Sequence, residues 1–316
     1  MTARTVITCL VVLTTLSACE HKPQTKPAAT TSAAPETVAT TPTIKPAIVA
    51  STWDTSAGPV MFVRGNSTAE AYVIFPTITD STPAADVHFD SALSRNATVD
   101  LFQHSGGSEV ARIGPLGGGE WDANQCIEWP SAKVQTKTTT DSTSGWTVGF
   151  LKGRAKALPL DTIETMPHAD SAKLAADITR LVSTVPNDTA RTFRGIPFSV
   201  RTAYRFTPVP GVEAVVADVV RKLNQEANPL EEHTLVVGER PAGSNAPYRL
   251  GYREVTSGSD ETLESSDVLA AVAIGSPPHI DLVLARDGYE SNAFALLERQ
   301  PTGKWRLRWM SAHTGC

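Results

Sequence analysis

Two short patterns place a histidine two residues before an aspartate: His88 with Asp90, and His279 with Asp281. In a β-strand, residues i and i+2 lie on the same face, so each carboxylate would lie beside an imidazole. Such an arrangement can orient a general base or bind a metal ion. Since no serine-hydrolase, zinc-protease or phosphate-loop motif accompanies the pairs, we interpret both as solvent-facing pairs at strand ends. We predict no catalytic residue, no metal site and no cofactor.

A basic and aromatic segment near the C-terminus is the most distinctive candidate for a binding surface. In an extended strand, Trp305, Leu307 and Trp309 would share one face, and Arg306 and Arg308 would share the other. The pattern favours a core strand whose tryptophans point inward and whose arginines lie in water. The alternative is a binding surface for an anionic glycan, peptidoglycan or lipid headgroup, made by Trp305, Arg306, Arg308 and Trp309.

The N-terminal segment has the pattern of an export signal. Arg4 precedes an apolar stretch over residues 6–16, which is too short to span a bilayer comfortably. The stretch ends in Leu16-Ser17-Ala18-Cys19, which resembles the lipobox of bacterial lipoproteins at every position. The alternative is an ordinary secretory signal cleaved after Ala18, and Leu16 disfavours it because a small residue is typical at that place.

The lipobox resemblance implies a lipid anchor on Cys19. It implies that the Cys19 thiol receives a diacylglyceryl group, that residues 1–18 are removed, and that the new amino group is acylated as well. Several acyl chains anchor a protein stably, whereas a single chain binds reversibly. Glu20 stands where many lipoproteins of the inner membrane carry Asp, so the resemblance favours the outer membrane in a cell with two membranes. We therefore expect a bacterial cell-envelope protein that contacts the membrane through its lipid.

The segment after the lipobox predicts a tether. Residues 19–52 are rich in Thr, Ala and Pro, a composition that buries too little apolar surface to fold and that favours an extended chain. The whole chain has a net charge of -5 and a sequence pI near 5.8. Because phosphate binding needs a surplus of clustered Lys and Arg, we expect no nucleic-acid partner.

The cysteines predict one disulfide bond. Of the four cysteines, Cys9 would leave with the signal and Cys19 would carry lipid. Cys126 and Cys316 would then remain in an oxidising compartment, where we expect them to form a disulfide. The alternative is a metal site made by His313, Cys316 and Cys126, and no further Cys or paired His spacing supports it.

Hydrophobic periodicity predicts an α+β fold of two halves, each a mainly antiparallel sheet with one packed helix. Residues 53–190 alternate short apolar runs with turn residues and then carry a helical apolar stripe at residues 174–185. Residues 191–316 contain further strands, a second helical stripe at residues 212–223 and a Trp/Arg-rich hairpin at the C-terminus.

These features favour a lipid-anchored envelope lipoprotein that acts as a binding or structural module for an envelope protein or glycan. The alternative is an envelope hydrolase whose site no sequence motif reveals. A pocket in which His88 or His279 meets a carboxylate would favour the enzyme, whereas an exposed apolar or aromatic patch would favour binding.

Overall fold

The computed structural model describes residues 53, 57–64, 70–76, 97–117, 129–136, 145–184, 191–223, 229–259 and 261–315. Antiparallel strands dominate these ranges, and their single α-helix packs on one of the sheets. The prediction of an α+β fold with mainly antiparallel sheets is thus confirmed. No helix in the described ranges is long and apolar enough to cross a membrane.

The N-terminal strands close into a barrel with the order β1-β2-β5-β4-β3-β6, and β6 pairs back to β1. In chain order the strands are β1 (Val60–Arg64), β2 (Glu70–Ile74), β3 (Thr98–Phe102), β4 (Ser108–Gly117), β5 (Ser131–Gln135) and β6 (Val148–Leu151). Side chains alternate between the two sides of the barrel wall. Met61, Val99 and Ile113 help to fill the interior, whereas Phe62 and Phe150 face outward.

The remaining strands form two antiparallel sheets. In chain order they are β7 (Ala155–Leu158), β8 (Asp161–Thr162), β9 (Ser199–Phe206), β10 (Val212–Leu223), β11 (Leu230–Pro241), β12 (Arg249–Gly258), β13 (Ser265–Ile274), β14 (His279–Gly288), β15 (Ser291–Arg299), β16 (Trp305–Met310) and β17 (Thr314–Gly315). The sheet that we call the outer sheet has the order β12-β11-β10-β9-β8. The other, the central sheet, has the order β16-β15-β14-β13-β7, with β17 paired to β15.

The central sheet is covered on both faces. On one side, Phe294, Leu296 and Trp309 pack against the outward-facing residues of the barrel. On the other side, Leu282 and Leu297 belong to the core that the central sheet shares with the outer sheet. The neighbours Leu296 and Leu297 therefore lie in different cores, and both are fully buried. The layers follow one another as barrel, central sheet, outer sheet and helix.

Helix α1 (His168–Ser183) covers the far face of the outer sheet. Its first turn carries Asp170, whose negative charge complements the helix dipole. The close packing depends on Gly238 of β11, because a Cβ at that position would lie 2.7 Å from Leu181 Cδ2. The predicted apolar stripe is confirmed for the buried face of α1, which consists of Leu174, Ile178, Leu181 and Val182. Its last predicted member, Val185, lies outside the described residues.

The second predicted helix, at residues 212–223, is wrong because this segment forms strand β10. Val216 faces the central sheet, whereas its neighbour Val215 faces α1. A strand that is covered on both faces is apolar at nearly every position, so its valines also fit a helical stripe. Their β-branched side chains prefer the strand. The described residues thus hold one α-helix, not one in each half, and this helix of the predicted first half packs on strands of the predicted second half. The division between the halves at residue 190 stays a prediction.

We predict that Leu296→Ala and Leu297→Ala each lower the free energy of unfolding by about 2–5 kcal/mol, because each removes a fully buried side chain from a different core. Urea unfolding of the purified protein measures the change. Val110→Ala, at an exposed position of the barrel, is the control and should change it by less than about 0.5 kcal/mol. If one of the two leucine substitutions proves as mild as the control, the central sheet is not covered on both faces.

Candidate functional site

The Trp/Arg-rich strand β16 lies in the core of the protein. Trp305, Arg308 and Trp309 are all buried, so they do not form the exposed binding surface considered from the sequence. Arg306 remains partly exposed, with 40% of its side chain accessible. The core-strand interpretation is right for the two tryptophans, but it placed Arg308 in water and is wrong for that residue.

A β-bulge explains why strict alternation fails in β16. Leu297 on β15 pairs with Leu307, and the residue before Leu297 pairs with Trp309, so Arg308 is the extra residue of the longer strand. Beyond the bulge the side chains exchange faces. Trp305 therefore packs on the side of the outer sheet, and Trp309 packs on the side of the barrel.

Arg308 is held by a carboxylate and an aromatic ring. Its Nη1 lies 3.1 Å from Asp281 Oδ2 and 3.3 Å from Oδ1, and Asp281 is 0% exposed. The guanidinium carbon lies 5.1 Å from the centroid of the Trp53 ring, within the range of a cation–π contact. The indole N–H of Trp53 donates to the carbonyl oxygen of Gly58 at 2.9 Å, which fixes the ring in place.

A cavity of about 80 Å³, which we call the Arg308 pocket, opens beside this arginine. Typical small-molecule sites measure about 300–1,000 Å³, so this pocket fits one functional group and not a whole small-molecule ligand. Its walls come from the N-terminal residues, the turn between β13 and β14, and strands β14 and β16. The lining residues are Trp53, Ala57, Ile274, Gly275, Ser276, Pro277, His279 and Arg308.

His279 lies at the pocket with 54% of its side chain exposed. Its Nδ1 is 3.0 Å from Oε1 of Glu298 on the neighbouring strand β15. Glu298 also accepts hydrogen bonds from Arg306 Nη2 at 2.8 Å and from Gln300 Nε2 at 3.0 Å. The imidazole is thus paired with Glu298. The prediction of a solvent-facing His-x-Asp pair holds for His279 and is wrong for Asp281, which is fully buried.

The two carboxylates near the pocket respond to burial in different ways. Burial raises the pKa of Asp281 from 3.8 to about 6, because the nearby charge of Arg308 offsets the loss of hydration only in part. Burial also acts to raise the pKa of Glu298, but the hydrogen bond from Arg306 and the charges of Arg308 and Arg306 outweigh it. The pKa of Glu298 therefore lies below its ordinary value. Of these two carboxylates, Asp281 is therefore the one whose charge changes in mildly acidic solution.

A second set of buried charges lies between the outer and central sheets. Arg286 donates from Nη1 to Ser266 Oγ at 2.7 Å and forms an ion pair with Glu254. Nearby, His233 Nδ1 lies 2.8 Å from Asp218 Oδ2. The cavity beside these groups measures about 10 Å³, room for about one water molecule. This set consists of charges paired inside the core and offers no room for a larger ligand.

Several residues singled out in the sequence lie outside the described residues: Cys19, His88, Asp90, Cys126 and Cys316. The lipid anchor and the disulfide therefore stay predictions. Across the described ranges, no group of three or more His, Cys, Asp or Glu side chains could hold a metal ion.

The sequence analysis missed Trp53, Ser276 and Glu298 as parts of the site. One signal for the ion pair was present, because Asp281 and Arg308 are charges of opposite sign that each stand within an apolar strand. Such residues are buried only when they are paired. The sequence offers no comparable signal for Trp53 or Ser276, because the fold alone brings them together.

No protein-family model, no curated protein and no solved structure matches this chain. The fold and the site define a layered, mainly antiparallel β protein in which a small polar pocket opens beside a buried ion pair. The function is therefore argued from that pocket and from the sequence.

We predict that Arg308→Met destabilises the protein strongly at about pH 8 and weakly at about pH 4. In alkaline solution the substitution leaves an ionised Asp281 buried without its cation, which costs about 3–5 kcal/mol. Since the pKa of Asp281 is raised to about 6, the carboxyl group is neutral in acid and does not need the cation. For the same reason, protonation of Asp281 stabilises the folded form of the unsubstituted protein. This stabilisation is complete below pH 3.8, the ordinary pKa of the group, and is lost as the pH rises through about 6.

Chemical unfolding of both proteins at the two pH values measures this effect. Arg306→Met is the matched control, because Arg306 is partly exposed and should contribute less than about 1 kcal/mol at either pH. An equal cost of Arg308→Met in acid and in alkali would show that the buried charge of Asp281 is not what Arg308 compensates.

Proposed function

We propose that this chain is a lipid-anchored binding protein of the bacterial cell envelope, and that its Arg308 pocket holds an acidic group of a larger envelope partner. The lipobox at Leu16-Ser17-Ala18-Cys19 supports the location. The pocket supports the activity, and its size is the observation that carries the argument. A cavity of about 80 Å³ accepts a carboxylate or a group of similar size, while the rest of the partner stays outside.

The chemistry of the pocket favours an acidic group. The guanidinium of Arg308 is a planar donor that matches the geometry of a carboxylate. Asp281 and Trp53 already hold it in one position, so little side-chain freedom is lost when a partner binds. The exposed imidazole of His279 adds a further polar group at the edge of the pocket. An acidic side chain of an envelope protein and an acidic sugar of a glycan both carry the required group.

The predicted tether gives this binding domain its reach. If residues 19–52 are extended at about 3.1 Å per residue, they span roughly 100 Å, and a flexible chain spans much less. A domain on such a tether can meet partners both close to the membrane and well away from it.

An envelope hydrolase is the second candidate function, and one observation favours it. Ser276 lines the same pocket as His279, and Glu298 orients the imidazole, so the residue types of a nucleophile, a base and an orienting carboxylate occur together. Among the described residues, however, no hydrogen bond joins Ser276 to His279. The small cavity also leaves little room for a substrate. We therefore favour binding.

For the anchor, we predict that Cys19→Ala moves the protein from the membrane fraction to the soluble fraction and abolishes labelling by a fatty-acid probe. The reason is that the variant has no thiol to carry the diacylglyceryl group. Cys126→Ala is the matched control and should keep both the label and the membrane association. If the Cys19→Ala variant remains labelled and membrane-bound, the lipid is not on this residue.

For the pocket, we predict that a photo-crosslinking residue at position 276 captures one discrete partner in intact cells, and that the same residue at Tyr289 does not. Ser276 lines the pocket, whereas Tyr289 is an exposed position outside its lining, with 57% accessibility. His279→Glu should weaken capture roughly fivefold, since a like charge about 4 Å from an acidic group costs about 1 kcal/mol in water. His279→Gln should leave capture unchanged.

The crosslinking result also separates the two candidate functions. A hydrolase that acts on small diffusing substrates has no lasting neighbour at position 276. Absence of an adduct there, or equal adducts from positions 276 and 289, would overturn the proposed binding role of the pocket.

A further inference from the structure

The segment that joins the barrel to the central sheet carries a run of exposed cations. Lys152 and Arg154 flank Gly153, whose φ is 74°, and Lys156 follows on strand β7; all three side chains are exposed. No carboxylate in the described part of the chain forms an ion pair with any of the three. The neighbouring acidic side chain is Asp100, whose Oδ2 accepts a hydrogen bond from the backbone amide of Gly153 at 2.7 Å.

A fourth cation lies beside this segment on the barrel. The backbone N–H of Lys152 donates to the carbonyl oxygen of Thr98 at 3.1 Å, and Thr98 pairs with Arg112 on β4. Because Ala111 and Ile113 belong to the barrel interior, the intervening Arg112 points outward. We call these four residues the basic cluster: Arg112, Lys152, Arg154 and Lys156.

The first described residues of the chain lie next to the basic cluster. Gly58 lies so close to Leu151 that a Cβ on the glycine would be 2.5 Å from Leu151 Cδ1. Trp53 lines the Arg308 pocket together with Gly275, whose amide donates to the carbonyl oxygen of Arg154 at 3.4 Å. Trp53, the first residue that the structure describes, therefore lies on the side of the domain that carries the cluster.

We propose that the basic cluster docks this domain on the anionic phospholipid headgroups of the membrane that holds the lipid of Cys19. The chain as a whole has a net charge of -5, so an anionic membrane repels the molecule in general and attracts it at this cluster. Docking thus orients the domain with its basic cluster toward the membrane. The location in the cell rests on the lipid anchor of the proposed function, whereas the attraction to headgroups does not require the anchor.

Because the predicted tether holds the domain near the membrane, even a weak attraction between the basic cluster and the headgroups is sufficient for docking. A domain that is already held near the membrane meets the headgroups at a high effective concentration, so each contact adds to the anchor without having to recruit the protein. Each Lys or Arg close to an anionic surface strengthens association by roughly fivefold. Since the Arg308 pocket adjoins Arg154 through Gly275, the docked domain holds its pocket close to the membrane surface.

The experiment uses the mature chain from residue 19 with Cys19→Ser, so that no acyl chain contributes. Sedimentation with vesicles of phosphatidylglycerol and phosphatidylcholine should show binding, and vesicles of phosphatidylcholine alone should not bind. Binding should be lost between roughly 0.15 M and about 1 M salt, as the Debye length falls from about 8 Å to about 3 Å. Replacement of all four residues of the basic cluster by Gln should weaken partitioning by at least tenfold, a lower bound from the roughly fivefold effect of each cation.

The matched control replaces four exposed cations elsewhere by Gln, which removes the same charge and should leave vesicle binding intact: Lys173, Arg180, Arg194 and Arg249. Equal binding by the cluster variant and the parent protein would overturn the proposal, as would binding to pure phosphatidylcholine. Displacement by millimolar inorganic phosphate would also overturn it, because it would assign the cations to a free anion. Because the protein in this experiment carries no lipid, a failure to bind vesicles would not contradict the lipid anchor on Cys19. In the same way, a failure of the Cys19→Ala prediction would not contradict the docking of the basic cluster.

Discussion

Burial of the central sheet on both faces governs much of this structure. The barrel covers one face and the outer sheet covers the other, so β7 and the four strands β13 to β16 each contribute to two cores at once. Adjacent leucines such as Leu296 and Leu297 point into different cores and are equally buried. A polar group on these strands has little access to water, and it must therefore find its partner inside the protein.

The charges inside the layers follow this rule. Arg308 pairs with Asp281 on the barrel side of the central sheet, and Arg286 pairs with Glu254 on the side of the outer sheet. Such pairs add little net stability compared with apolar side chains of similar size, but loss of one partner is costly. They are therefore better explained by what they position. In the case of Arg308, the pair holds a cation at the wall of a small pocket.

The sequence predicts those features that depend on local pattern. The strands of the barrel could be found because turn residues separate short apolar runs, and α1 could be found because its stripe is apolar on one face only. Strand β10 could not be found in this way, since Val215 and Val216 are buried against different layers and leave no alternation to detect. The position of Arg308 depends on a β-bulge in β16, and its partner Asp281 lies on another strand. Neither fact is encoded in the spacing of residues.

Trp53, the first residue that the structure describes, packs against the buried Arg308, which pairs with Asp281. Its indole N–H is donated to Gly58, its ring lies over the guanidinium of Arg308, and the first strand begins only at Val60. Tension that reaches Trp53 therefore strains these contacts before it loads the sheets. Because Trp53 is also a wall of the Arg308 pocket, tension that displaces its ring would change the shape of that pocket.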